Sequence, residues 1–147
     1  MNDEQLIALA GEARRHAHAP YSHFAVGAAV TTASGKTFAG TNVENASYGL
    51  SVCAERVAMW KAVSDGERGF VSIAVVTENG ATPCGACRQV MAEFGDRDLR
   101  VLVADTQGHC SVHTLGDLLP DAFTPQKLAE AAKGRPHKAP RRRPAGV

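Results

Sequence analysis

The chain has 147 residues, 44% apolar and 21% charged, with a formal net charge of +1. That is enough for one domain with its own core, and no apolar run approaches the roughly 18 residues that a bilayer span requires. The start, Met1-Asn-Asp-Glu-Gln, is acidic and polar, unlike a secretory signal, so a cytoplasmic protein without a membrane partner is expected.

Charge is unevenly spread. Residues 1–133 carry 11 basic and 15 acidic residues, net −4, whereas residues 134–147 carry five basic and none acidic. This divides the chain into a domain, 1–133, and a basic, Pro-rich tail, 134–147, read as a disordered solubilising end. The tail could contact polynucleotide, but five cations alone give only salt-sensitive affinity and the acidic body opposes a strand groove. No nucleic-acid partner is therefore expected.

Residues 3–17 are rich in Leu and Ala at helical spacing, with Asp3 as cap and Pro20 as a barrier to continuation. Phe24–Val30 and Lys36–Gly40 flank Ala33-Ser34-Gly35 and predict a hairpin. The polar stretch Thr41–Gly49 reads as a functional loop. Cys53–Val63 predicts a helix ended by Asp65-Gly66, and the β-branched run Phe70–Thr77 a buried strand. Pro83–Phe94 predicts a helix with Pro83 in its opening turn and Gly95 at its close. Leu99–Ala104 and a weaker segment near Cys110–Thr114 predict strands, followed by a helical turn at Leu115–Leu119 and a last helix at Thr124–Lys133. The order implies an α/β domain, a mixed five-stranded sheet layered between helices.

The chemistry lies in two stretches, Ser51-Val-Cys53-Ala-Glu55-Arg56 and Thr82-Pro83-Cys84-Gly-Ala-Cys87-Arg88. Cys-x-Glu followed by Pro-Cys-x-x-Cys is the known zinc-deaminase signature with cysteine in place of the usual histidine ligand. Three thiolates leave a fourth zinc position open, as catalysis requires, and each cluster opens a predicted helix whose positive end favours thiolate. Glu55 is then placed to take and return a proton, although an acid at a helix start also serves the helix dipole. Three thiolates overcompensate one dication, and Arg56 and Arg88, each beside a ligand, are expected to offset this by hydrogen bonds to sulfur. Competing readings are a closed structural zinc site with Cys110 as fourth ligand, a redox dithiol at Cys84 and Cys87, and plain core cysteines. The six histidines, His16, His18, His23, His109, His113 and His137, lack ligand spacing and read as surface or packing residues.

These residues resemble the small homotetrameric cytidine deaminases. The resemblance runs from about residue 3 to 131 through five blocks: Pro20-Tyr21-Ser22-x-Phe24-x-Val26-Gly27-Ala28, Asn42-x-Glu44-Asn45, Cys53-Ala-Glu55-Arg56, Pro83-Cys84-Gly-Ala-Cys87-Arg88-Gln89 and Leu118-Leu119-Pro120-x-Ala122-Phe123. It implies one Zn2+ per subunit on Cys53, Cys84 and Cys87, with Glu55 as catalytic proton shuttle. It also implies that Asn42 and Glu44 bind the ribose hydroxyls, that Phe24 packs on the pyrimidine, that Ala54 contacts substrate, and that Tyr48 and Phe123 reach a neighbouring subunit's site. The activity implied is hydrolysis of cytidine and 2′-deoxycytidine to the uridines and ammonia. A deaminase of another cytosine nucleoside, or a zinc-stabilised binding module, is the alternative. Nucleoside-antibiotic deaminases share the zinc pattern but lack the Asn-x-Glu-Asn block. The tail and Cys110 have no counterpart in the family pattern.

Overall fold

A computed structural model describes residues 1–134, so the tail expected at 134–147 lies, from residue 135 on, outside the described residues. Helix α1 spans Asp3–Arg14. Its cap is Asn2, not Asp3: the Asn2 carboxamide accepts from Gln5 N at 2.9 Å, and Gln5 reaches back to Asn2 N at 3.0 Å. This reciprocal box satisfies two amides that helix geometry leaves bare. Asp3 lies in the first turn and instead takes a two-pronged ion pair from Arg100, at 2.8 and 2.6 Å. The helix stops three residues short of the expected end, and Arg14 Nε donates to Ala25 O at 2.9 Å.

Strands β1, Gly27–Thr32, and β2, Thr37–Thr41, form the hairpin, with Gly35 at φ +88° in the turn. The first strand was expected to begin at Phe24. Residues 24–26 stay outside the ladder because the Asn42 side chain occupies their backbone groups, donating to Phe24 O at 2.7 Å and accepting from Val26 N at 2.9 Å. Helix α2, Ala54–Ser64, leads to β3, Phe70–Thr77, and α3, Gly85–Phe94, leads to β4, Arg100–Asp105. Pro83 precedes the α3 cap rather than sitting in the helix. At the other end Gly95 has φ −130°, and a methyl there would come 2.9 Å from Leu99 Cδ2, so close approach, not left-handed backbone, asks for glycine. Strand β5, Cys110–Thr114, is followed by α4, Leu115–Leu118, and α5, Pro125–Lys133.

The sheet order is β2-β1-β3-β4-β5, with β3 and β4 parallel and the other pairs antiparallel. Alternation along the strands divides two cores. One face sends Ala29, Ala74, Val76, Leu102 and Ala104 to Leu6 and Ala10 of α1. The other sends Ala28, Val30, Ile73, Val75, Val101 and Val103 to Ala58, Met59, Cys87 and Met91 of α2 and α3. The small side chains allow close contact: a methyl on Gly27 would come 1.9 Å from Ala10 O of α1, and one on Gly40 would come 2.5 Å from Ala58 N of α2. Met91 is fully buried, so its truncation to Ala costs about 2–5 kcal/mol.

Candidate active site

Packing α2 and α3 on the same sheet face brings their first turns together. Cys53 caps α2, Cys84 caps α3 and Cys87 stands in the first turn of α3. The three Sγ atoms lie within 4.8 Å of one another, with Cys53–Cys84 at 3.9 Å and Cys84–Cys87 at 3.6 Å. A tetrahedral ion with Zn–S bonds near 2.3 Å requires sulfurs about 3.8 Å apart, so these residues fit zinc. The donors agree, since an all-thiolate set selects a soft metal such as zinc over magnesium or calcium. All four cysteines are free, and the three thiols form the one His/Cys/Asp/Glu cluster suited to a metal among the described residues. Cys110 stands apart on exposed β5, so a closed four-cysteine site does not form. His109 pairs with Asp105 and His113 with Ser111, away from the thiols.

The electrostatics sort the sulfurs. The neighbouring Cys87 thiol, and after burial's opposing effect Arg56, bring Cys53 down to about 5. The same Cys53 contact, burial and the charge of Glu55 push Cys87 up. Arg56 Nη2 donates to Cys53 Sγ at 3.3 Å, while its guanidinium carbon lies 5.8 Å from the Trp60 ring centre. Arg56 Nε is buried without a protein partner. Arg88 does otherwise than expected. Its guanidinium donates to Pro83 O at 2.7 Å, Leu118 O at 2.6 Å and Thr82 Oγ1 at 3.0 Å, none of them a sulfur. Each of the three guanidinium nitrogens donates to one of these oxygens, so Arg88 fixes the approach to Cys84 and ties α3 to α4.

A cavity of about 300 Å³ opens beside the sulfurs, lined among others by Ser22, Phe24, Asn42, Glu44, Cys53, Glu55, Thr77, Thr82 and Cys84. A larger cleft of about 630 Å³ between the end of α3 and the start of α5 contains no thiol, and the chemistry places the site in the smaller one. Glu55, in the first turn of α2, is 5% exposed, and burial pushes its carboxyl up to about 7. Glu44 goes the other way: the Ser22 hydroxyl, then the Ser22 and Tyr21 amides, hold its carboxyl below the usual range.

The fold therefore brings Phe24, Asn42, Glu44 and Glu55 into one cavity with Cys53 and Cys84. Ala54 does not line it, because its methyl is fully buried in the α2 core. Tyr48 and Phe123 do not line it either and are 74% and 63% exposed. Tyr48 meets Tyr21 edge-on at 5.6 Å, and Phe123 O accepts from Gln89 Nε2 at 2.7 Å. Sequence reasoning assigned no role to Ser22 or Thr77. Thr77 Oγ1 accepts from Ala81 N at 2.9 Å and shapes the loop that leads to Cys84. The available signal was a hydroxyl residue at the end of a buried strand, one short turn before the second cysteine block.

Residues 1–103 match the family model of the cytidine and deoxycytidylate deaminase zinc-binding region. The chain is 48% identical to a cytidine deaminase of Halalkalibacterium halodurans, over 87% of this chain and 98% of that protein. It is 46% identical to one of Sporosarcina psychrophila, over 90% and 99%. A crystal structure of cytidine deaminase from Burkholderia pseudomallei superposes with a TM-score of 0.81 at 54% identity, covering 84% of this chain and all of that one.

Proposed function

From the premise that this chain belongs to the cytidine and deoxycytidylate deaminase family, we propose that it hydrolyses cytidine and 2′-deoxycytidine to uridine and 2′-deoxyuridine, releasing ammonia. The observation that carries this reading is the buried Glu55 carboxyl sharing one cavity with Cys53 and Cys84, two members of a sulfur trio spaced for zinc. Cys53, Cys84 and Cys87 would hold the ion, which when bound supplies Lewis acidity and lowers the pKa of water toward about 7.

Glu55 takes the proton that the attacking water sheds and delivers it to ring nitrogen N3. It then takes the proton of the hydroxyl newly bonded to C4 and carries it to the amino group, which leaves as ammonia while the C4 oxygen becomes a carbonyl. One water enters and one ammonia leaves, so the reaction needs no redox partner. Burial suits Glu55 to both acts, because a carboxyl raised toward neutrality gives and takes protons at comparable cost. Phe24 supplies an apolar wall for the pyrimidine. Asn42 and Glu44 face the sugar: after internal contacts are counted, Asn42 keeps one lone pair and one N–H, and Glu44 one lone pair, for sugar hydroxyls. Arg56 offsets excess thiolate charge through Cys53.

We read residues 1–133 as one deaminase domain, cytoplasmic, since its work requires reduced thiols; among the described residues no helix is long and apolar enough to cross a membrane. We also read the working form as a homotetramer. Helix α5 buries no residue, and Tyr48, Leu50, Phe123 and Leu128 are exposed, which suits side chains completing a neighbour's pocket. A fully active monomer on dilution would overturn the assembly. Loss of ultraviolet absorbance by cytidine and deoxycytidine, with ammonia appearing in equal amount, tests the activity. A zinc-loaded protein that consumes neither nucleoside would refute it.

A further inference from the structure

We infer that Ser22 is a positioning residue that aims the Glu44 carboxylate at the substrate sugar and so sets the preference for a hydroxylated sugar ring. The inference rests on the nucleoside-deaminase reading above. It comes from counting hydrogen bonds. Glu44 Oε1 accepts from two amides, Tyr21 N at 3.0 Å and Ser22 N at 3.1 Å, which fills both of its lone-pair directions. Glu44 Oε2 accepts from Ser22 Oγ and keeps one direction free. A sugar hydroxyl can therefore be taken only at Oε2, beside the Ser22 hydroxyl.

The same hydroxyl has a second task. Ser22 Oγ accepts from Phe24 N at 3.1 Å while donating to Glu44. Its proton is thus committed to the carboxylate, and one of its two lone pairs to the segment that carries the aromatic wall. On the far side of Phe24, the carbonyl is held by Asn42 Nδ2 at 2.7 Å. Serine is the residue that fits: alanine supplies neither bond, and every other donor to Glu44 is a backbone amide, which substitution by any residue but proline leaves in place. Without Ser22 Oγ, Oε2 has two open directions and the carboxylate can rotate about its Oε1 anchor. Glu44 and Ser22 are 22 positions apart in sequence, so the pairing joins the two sugar-facing loops.

The test compares the parent, Ser22→Ala and Ser22→Thr on two substrates, cytidine and a cytosine nucleoside lacking the 2′ and 3′ hydroxyls. Zinc content and melting temperature are measured alongside. Ser22→Ala should keep zinc and fold, and should lose roughly 10- to 150-fold in kcat/KM on cytidine, the factor carried by one hydrogen bond to a charged group. The loss should fall on KM, with kcat held, because the bond serves ground and transition states alike. It should shrink to less than about threefold on the dideoxy substrate, which has no hydroxyl for Glu44, and Ser22→Thr should restore most of it on cytidine. An equal loss on both substrates, or no loss on either, overturns the inference while leaving the activity intact. A parent protein that turns over neither substrate refutes the activity itself, a distinct result.

Discussion

Gly40→Ala is the perturbation that most directly couples the fold to the chemistry. Gly40 lies in β2 where α2 crosses it, and a methyl there would stand 2.5 Å from Ala58 N, 2.8 Å from Ala54 O and 2.9 Å from Val57 Cβ. Ordinary contact begins at 3.4 Å, so the α2 backbone must retreat by about 0.9 Å. Two of the three obstructing atoms are backbone, so no rotamer change relieves the clash. The retreat moves the first turn of α2, which carries Cys53 and Glu55, relative to Cys84 and Cys87 on α3. Overpacking of this kind costs about 1–3 kcal/mol of stability, and a displacement near 1 Å at a reacting centre costs about 100-fold in rate. We expect a folded protein with a lower melting temperature, weaker zinc retention against a chelator, and kcat on cytidine reduced about 100-fold. Thermal melts, chelator titration and the ultraviolet assay measure the three. A Gly40→Ala protein with parental zinc retention and parental kcat would refute the claim that α2 seating on β2 sets the site geometry.

Glu55→Gln should keep zinc and the parental melting temperature while losing about 10²- to 10⁴-fold in kcat, whereas Cys53→Ala should lose metal and melt earlier, because zinc bound to the folded state adds to its stability. Metal analysis beside turnover separates the two, and comparable activity in the glutamine variant would require another base. The Asp3 carboxyl is held below its usual range first by the hydrogen bonds from Arg100. A depressed folded pKa means that the pair's stability is fully present above the ordinary carboxylate range near pH 4 and lost as pH falls through the lower folded value. The melting difference between parent and Asp3→Asn should thus hold from pH 7 to about pH 5 and vanish at the acid end. A difference that is flat down to the acid limit would contradict the ion pair's role.

Much of the fold was legible because local signals agreed. The β-branched run of β3 was read to the residue, Phe70–Thr77, since an apolar segment of that length between turns has few alternatives. The helices failed only at their ends, where a longer-range partner decided the outcome. Asp3 left capping to Asn2 because it pairs with Arg100, 97 positions away. Residues 24–26 missed the ladder because a side chain, Asn42, took the place of a strand. Arg88 beside a ligand looked like a partner for sulfur, but Leu118 O, 30 positions on, faces its guanidinium. In the site, the ligand types and spacing were readable as a motif. The convergence of two helix ends was not, because it depends on sheet order, and sheet order comes from strand pairings scattered along the chain.

The deepest feature of the cavity is that its two carboxyl groups are treated oppositely. Burial raises Glu55 to about 7, whereas a hydroxyl and two amides hold Glu44 down. Environments that separate two acids in this way also separate their duties. A carboxylate fed by three donors holds a fixed charge and a fixed orientation, the properties needed to bind a hydroxyl and poor ones for proton exchange. A buried carboxyl near neutrality is poised to gain and lose a proton, and a dication beside it would draw its value down from there. Exchanging the environments would fail in both directions: Glu44 would bind only when ionised, and Glu55 would stay charged and idle. The division follows from where the chain places its donors. The loop at Tyr21-Ser22 supplies them to Glu44, whereas Glu55 sits against the apolar packing of α2 on the sheet.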